Sequence, residues 1–223
     1  MIEYILNRSN RKTIAIYVRN GVVEVRAPHK MSKDDINRFV SLKEQWIIRN
    51  LAKHEAQADK KKSFRLEYGS GITLRGEEYP ITKRTGQSAG FDGVDFYMPA
   101  DLPSDHIKAT CVEIYKILAK AHISNRVAFF SKHMNVFPSI VKINSAKTRW
   151  GSCSTKKSLN FSWRLIMADD SVIDYVVVHE LSHLVEMNHS ARFWAVVAKV
   201  LPDYKKNKVQ LKSLQKKLVN EDW

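Results

Sequence analysis

The sequence predicts an α+β chain, with a β-rich amino-terminal part over residues 1–100 and a second half, residues 101–223, organised around one buried helix. Three observations carry this. The first hundred residues alternate apolar and polar side chains in short runs broken by Gly and Pro. A long stretch with 3.6-residue periodicity opens near Ser104. Finally, "VVVHELSHLVEMNHSARFW", Val176 to Trp194, places three of the chain's eight histidines on or just beyond an apolar helix.

Taken in order, "RKTIAIYVRNGVVEVRAP" sets Ile14, Ile16 and Val18 against polar neighbours, turns at Asn20-Gly21 and resumes with Val23 and Val25. Asn-Gly suits a type I′ hairpin because both central residues tolerate positive φ. Pro28 ends the second strand. Ser32 then precedes apolar residues at Ile36, Phe39, Val40, Ile47 and Leu51, and Asp35 completes a capping-box pattern, so one helix is expected, with its lysine-rich end at Lys60 to Lys62 as linker. Leu66 to Met98 reads as short strands and hairpins, and its glycines match no phosphate-binding loop. Pro99 and Pro103 bracket a break before a long helix whose apolar positions include Ile107, Cys111, Ile114, Ile117, Leu118, Ala121, Val127 and Phe130. His106, His122 and His133 on or beside it have no acid or cysteine at ligand spacing and read as structural or surface residues. Two strands follow, flanking a turn around Gly151, the second running from Leu159 to Met167. A helix capped by Ser171, with Asp174 three residues on, carries the histidines.

Lysine and arginine outnumber acids by 37 to 23, a net charge of +14, and a field of that sign concentrates phosphates, nucleic acids or anionic peptides near the surface. Cys111 and Cys153 form no C-x-x-C pair, which excludes a disulfide framework and a cysteine-built zinc site and fits a reducing cytoplasm. Glu3 and the absence of an apolar core in the first residues argue against a secretory signal, and no apolar stretch is long enough to span a bilayer, so no membrane partner is expected.

Residues four apart on a helix lie one turn above each other, so His179 and His183 present their imidazoles on one face, at a separation a single zinc ion bridges. Glu180 projects from the flank of that face, the position of a general base in the H-E-x-x-H arrangement. The surrounding stretch is apolar nearly all round, and burying two histidines and a glutamate there without partners would be costly. A catalytic zinc takes three protein ligands. Downstream of His183 the choices are Glu186, His189, Asp203, Glu221 and Asp222, and His189 is the best of them. Its separation of six from His183 matches the metzincin spacing, although the midpoint glycine of that pattern is Glu186 here. A turn at Asn188 in the left-handed region would bring His189 under the ion. Glu186 is a candidate for orienting an imidazole. Arg149, Arg164 and Tyr175 are candidates for stabilising charge that develops on the substrate. Cys153 reads as a turn-associated thiol rather than a nucleophile.

With these residues in view, Thr148 to Tyr204, containing RWGSC, HELSH and the H-S-x-x-F-W that starts at His189, resembles the YgjP-like metallopeptidase family. The earlier "NRKTIAIYVRNGVVEVRAPHKMSKDDINRFVSLKEQWI" is similar to that family's amino-terminal part, so the likeness covers nearly the whole chain and allows one intertwined domain. The resemblance implies a zincin-like catalytic half, a zinc or another divalent ion held by His179, His183 and His189, and Glu180 as general base. It leaves the bond open: within the family hydrolysis of nucleoside triphosphates is also proposed, and the related SprT-like zincins act near DNA. Three expectations follow. The first is a zinc-dependent hydrolase acting on a peptide substrate; the second is a nucleoside triphosphate pyrophosphatase or phosphohydrolase using the same centre. The third is a basic nucleic-acid-binding module with a structural zinc, a site that would have no need of a base such as Glu180.

Overall fold

The structure is a computed structural model that describes residues 2–221 and 223. It is α+β, and it separates into two compact units, one ending at Phe64 and taking in Val219, the other running from Arg65 to Leu218.

In the first unit, strands β1 (Ile5–Ser9), β2 (Ala15–Arg19) and β3 (Val22–Pro28) form a sheet in the order β1-β3-β2, with β1 parallel and β2 antiparallel to β3. Asn20 and Gly21 take φ of 50° and 76°, the pair of left-handed residues that a two-residue I′ turn needs. Val23, Val25 and Ala27 point to one side of β3, as the strand period of two requires, and pack against Ile36, Val40 and Ile47. Those three lie on two helices, α1 (Lys33–Leu42) and α2 (Glu44–Ser63), rather than on the single expected helix. The Ser32 hydroxyl caps α1 by accepting from Asp35 N at 3.1 Å. Lys43, at φ −104° and ψ 7°, breaks the helix, and its N–H tightens back onto Val40 O at 3.0 Å. Lys60 to Lys62 form the last turn of α2, so the expected linker is helical and the division falls just after it.

The second unit opens with β4 (Gly71–Leu74), β5 (Glu77–Arg84), β6 (Gly90–Phe91) and β7 (Phe96–Pro99), ordered β4-β5-β7-β6. These strands fall on the carboxy-terminal side of the division, not with residues 1–64, and their packing shows why. The Tyr115 hydroxyl donates to Thr73 O at 2.7 Å, and Arg75 N donates to Ile166 O at 2.8 Å. Helix α3 (Ser104–Met134) buries Ile107, Cys111, Ile114, Tyr115, Ile123 and Val127, and ends at Asn135 in the left-handed region. Ile117 is 70% exposed and Ala121 is exposed, contrary to the periodic reading, because the buried stripe runs through Tyr115, Ala119 and Ile123 instead.

Beyond α3, β8 (Ile140–Asn144), β9 (Gly151–Cys153) and β10 (Ser158–Ser162) form a sheet ordered β8-β10-β9, with β8 parallel and β9 antiparallel to β10. Gly151 therefore lies in a strand, and the turn sits at Ser154 to Lys157, where Lys157 has φ 60°. The expected long strand stops at Ser162. Trp163–Met167 is a 3₁₀ turn with every residue buried, Arg164 included, so the alternation of Trp163, Leu165 and Met167 with Arg164 that suits a strand does not describe how this segment packs. Trp163 stacks on Tyr115 at 5.7 Å between ring centroids, and Phe96 packs on the same tyrosine at 5.3 Å. Helices α4 (Asp170–Ser182), α5 (Ala191–Val200) and α6 (Tyr204–Asn220) complete the described chain. Among the described residues no helix is long and apolar enough to cross a membrane.

Candidate metal centre

Helix α4 starts from Asp169, not from the expected Ser171. Ser171 instead offers its carbonyl to Asn207 Nδ2 at 3.0 Å, and Asp174 is taken up by Arg126, whose Nε and Nη2 donate at 2.5 and 2.8 Å. The helix has Val172, Ile173, Val176, Val177, Val178 and Leu181 buried, so only tertiary packing can satisfy it. Asp170 at its first turn pairs with Arg75, whose Nε lies 2.8 Å away, and complements the positive helix end.

His179 stands in the last turn of α4 and His183 is its C-cap residue. There the chain unwinds through short-range bonds, Leu184 N to Leu181 O at 3.0 Å and Glu186 N to Ser182 O at 2.9 Å. Ser190 N reaches Asn188 O at 2.7 Å, a three-residue turn centred on His189. The expected left-handed Asn188 is not found: positive φ among described non-glycine residues occurs at Asn20, Arg75, Asn135 and Lys157. A tight turn at the histidine itself makes the reversal that a left-handed residue would otherwise supply. The Ser190 hydroxyl then caps α5 by accepting from Phe193 N at 3.3 Å.

The result is one group of three imidazoles, His179, His183 and His189, with one nitrogen of each lying within 4.8 Å of the others. His179 Nε2 and His189 Nε2 are 3.1 Å apart. Two neutral rings can share only one proton across that gap, whereas a cation satisfies both lone pairs. Tetrahedral zinc with nitrogens at about 2.0–2.1 Å would set neighbouring donors roughly 3.3 Å apart, close to what is seen. His183 Nδ1 faces Glu186 O at 3.3 Å, which fixes the proton on Nδ1 and leaves Nε2 as donor. Glu186 thus acts through its backbone carbonyl, not through the carboxylate. Burial, with His183 and His189 adding to it, holds His179 down to about 3, and burial also lowers His183, so both rings are neutral donors at neutral pH. The residues present fit a divalent ion.

Glu180 is 5% exposed, and burial pushes its carboxyl up to about 8. It lies against Gly151 of β9: a Cβ built there would meet Glu180 Oε1 at 2.5 Å and Cγ at 2.6 Å. Cys153 sits two residues along the same strand, and burial together with the Glu180 charge raises its thiol, the opposite of what a nucleophile requires. Tyr175 packs edge-on to His179 at 5.9 Å, and burial raises its phenol, which stays protonated as a hydrogen-bond donor. Arg164, 7% exposed, donates to Ser145 O at 3.0 Å and lies over Trp163, so it props the segment before β9. Arg149 is exposed and makes no hydrogen bond or ion pair among the described residues. Asp203 and Glu221 are not part of the imidazole group, and Asp222 lies outside the described residues.

Aromatic rings that the spacing argument did not single out complete the surroundings. Phe193 touches all three imidazoles, at 4.8, 4.5 and 4.8 Å from His179, His183 and His189. Trp194 stacks on His189 at 5.8 Å and on Tyr204 at 5.3 Å, and Lys208 Nζ lies 5.1 Å from the Trp194 ring centre. A helical F-W pair beginning four residues after His189 is the one sequence signal that could have found them.

Three clustered imidazoles, with a buried carboxylate on the helix that carries His179, make a centre suited to metal-dependent hydrolysis. Residues 12–214 match the YgjP-like, metallopeptidase domain model, and the chain belongs to that family. Membership makes it a metal-dependent hydrolase of metallopeptidase type that works with a divalent ion. Among solved structures the chain is similar to the metallopeptidase zymogen abylysin of Pyrococcus abyssi, at 21% identity and a TM-score of 0.39, over 41% of this chain and 92% of that one. It is also similar to the metallopeptidase zymogen jannalysin of Methanocaldococcus jannaschii, at 25% identity and a TM-score of 0.37, over 42% and 95%. No curated protein matches the chain.

Proposed function

We propose that the protein is a zinc metallopeptidase in which His179, His183 and His189 hold the ion and Glu180 is the general base. The carrying observation is that Glu180 lies against Gly151 on β9, an edge strand of its sheet, in the helix that bears His179 and is capped by His183. An extended peptide can add to such an edge by main-chain hydrogen bonds, which would bring its carbonyls alongside the carboxylate. The ion, when bound, supplies Lewis acidity, lowering the pKa of a water to about 7. Glu180 takes the proton from the attacking water and returns it to the leaving amine. Burial alone pushes the Glu180 carboxyl up to about 8, and the positive charge of a bound ion would draw it down so that it starts ionised, as a base must. Tyr175, protonated and beside His179, donates to the oxygen on which charge develops.

The test sets zinc-loaded wild type and Glu180→Gln against a peptide library and a nucleotide panel in parallel. We expect peptide cleavage that falls at least ~100-fold in Glu180→Gln with metal content unchanged. Release of phosphate or pyrophosphate with peptides left intact would replace this reading by the nucleotide hydrolase that the net charge of +14 favours. Neither activity, with salt-sensitive duplex binding, would leave the nucleic-acid module.

A further inference from the structure

Helix α6 is pinned against the start of α4. Asn207, itself buried, donates to Ser171 O at 3.0 Å, and Gln210 Nε2 reaches Asp169 Oδ2 at 3.4 Å. Tyr204 is held one helical turn before Lys208, stacked on Trp194 at 5.3 Å and nearly parallel to Tyr175 at 6.3 Å. The lysine therefore has a defined place: exposed, with its Nζ 5.1 Å from the centre of the Trp194 ring. The same ring lies 5.8 Å from both His179 and His189. Lys208 has no carboxylate partner among the described residues, although its neighbour on the aromatic wall is the metal centre itself.

An unpaired cation fixed beside a reaction centre attracts the anionic part of whatever is bound there. A triphosphate would call for several cations or a cradle of backbone N–H groups. Here the Arg164 guanidinium is committed to Ser145 O and the Trp163 ring, which leaves Arg149 as the one uncommitted guanidinium of the two candidates, and the chain has no phosphate-binding loop. One ammonium matches one carboxylate. We propose that Lys208 is a specificity residue that recognises a carboxylate of the substrate peptide, either an acidic side chain or the free C-terminus, on the Trp194 side of the centre. The proposal rests on the peptidase reading and narrows its substrate class.

The experiment uses the zinc-loaded full chain and matched peptide pairs, Asp or Glu against Asn or Gln at each position and free acid against C-terminal amide. Two readouts are taken, steady-state cleavage and calorimetric binding, in wild type, Lys208→Met and Lys208→Arg. The exposed helical position makes the methionine variant benign to folding. Wild type should show a KM and a Kd about 10-fold lower for one acidic member, with kcat alike, and the advantage should shrink as salt is raised. The preference should vanish in Lys208→Met, through KM rather than kcat, and return in part in Lys208→Arg. Which pair shows it tells a side-chain carboxylate from a terminal one. Cleavage of both members with equal KM, or a preference that survives in Lys208→Met, overturns the assignment while leaving the peptidase intact. Lys208-dependent binding of acidic peptides without cleavage does the reverse, and tight binding of nucleotides with peptides ignored overturns both.

Discussion

Gly151 is required by a neighbour rather than by its own backbone. The carboxylate of Glu180 occupies the volume where any larger residue would put its Cβ, at 2.5–2.7 Å. Gly151→Ala should therefore displace Glu180, cutting turnover by roughly 100-fold while costing about 1–3 kcal/mol of stability as an overpacked site. Metal content measured on the same sample should not change; loss of the ion would mean that the glycine serves the ligands instead. Burial of Glu180 also has a pH signature. Its carboxyl is at about 8 in the fold against 4.5 for the free group, so stability falls as pH rises through that interval, because the unfolded chain ionises first. His179, held at about 3 against 6.5, has the opposite slope and loses stability as pH falls from 6.5 towards 3. Chelated protein should accordingly melt highest in mildly acid buffer, and Glu180→Gln should melt above wild type at about pH 8. Equal melting temperatures there would show that the carboxyl is not desolvated. None of this is written in the sequence around Gly151, since the contact joins residues far apart in the chain.

Elements differ in how far their own residues specify them. The Asn20-Gly21 hairpin, the Ser32 cap and the presence of α3, though not all of its buried face, are legible because φ preference, side-chain capping and the 3.6 repeat all act within a turn or two. The His179–His183 spacing is legible for the same reason. The 3₁₀ turn Trp163–Met167 is not, because Trp163, Leu165 and Met167 alternate with Arg164 as they would in a strand, and only tertiary packing buries every residue of the segment. Asp169 rather than Ser171 begins α4 because Asn207 and Arg126 claim the carbonyl of Ser171 and the carboxylate of Asp174 from other helices. The bend that delivers His189 depends on α5 starting where it does. Ser190→Ala should cost about 1 kcal/mol as a lost N-cap and weaken zinc about 10-fold through the neighbouring His189, the third ligand proposed above. Chelator competition measures the second effect. Ser190→Asp, which keeps a capping oxygen, should restore it, and failure of that rescue would separate the cap from the metal.

For the whole molecule, the two units have separate cores, one around Val25, Ile36 and Ile47 and the other around Tyr115, Phe161 and Trp163. All three histidines belong to the second. Scanning calorimetry should resolve two transitions, only one of which moves on chelation; zinc at about 1,000 times its Kd adds roughly 4 kcal/mol to that one alone. A single transition shifted as a block would mean that the units unfold together. Within the second unit, the turn at Arg75 and Gly76 bonds to Ile166 O and Met167 O and grips Asp170 at the head of the histidine helix. Two-residue hairpin tips at a protein surface are ordinarily where foreign sequence can be spliced in without harm. This one is a keystone for the active half, so splicing there would misalign a centre whose residues come about a hundred positions later in the chain.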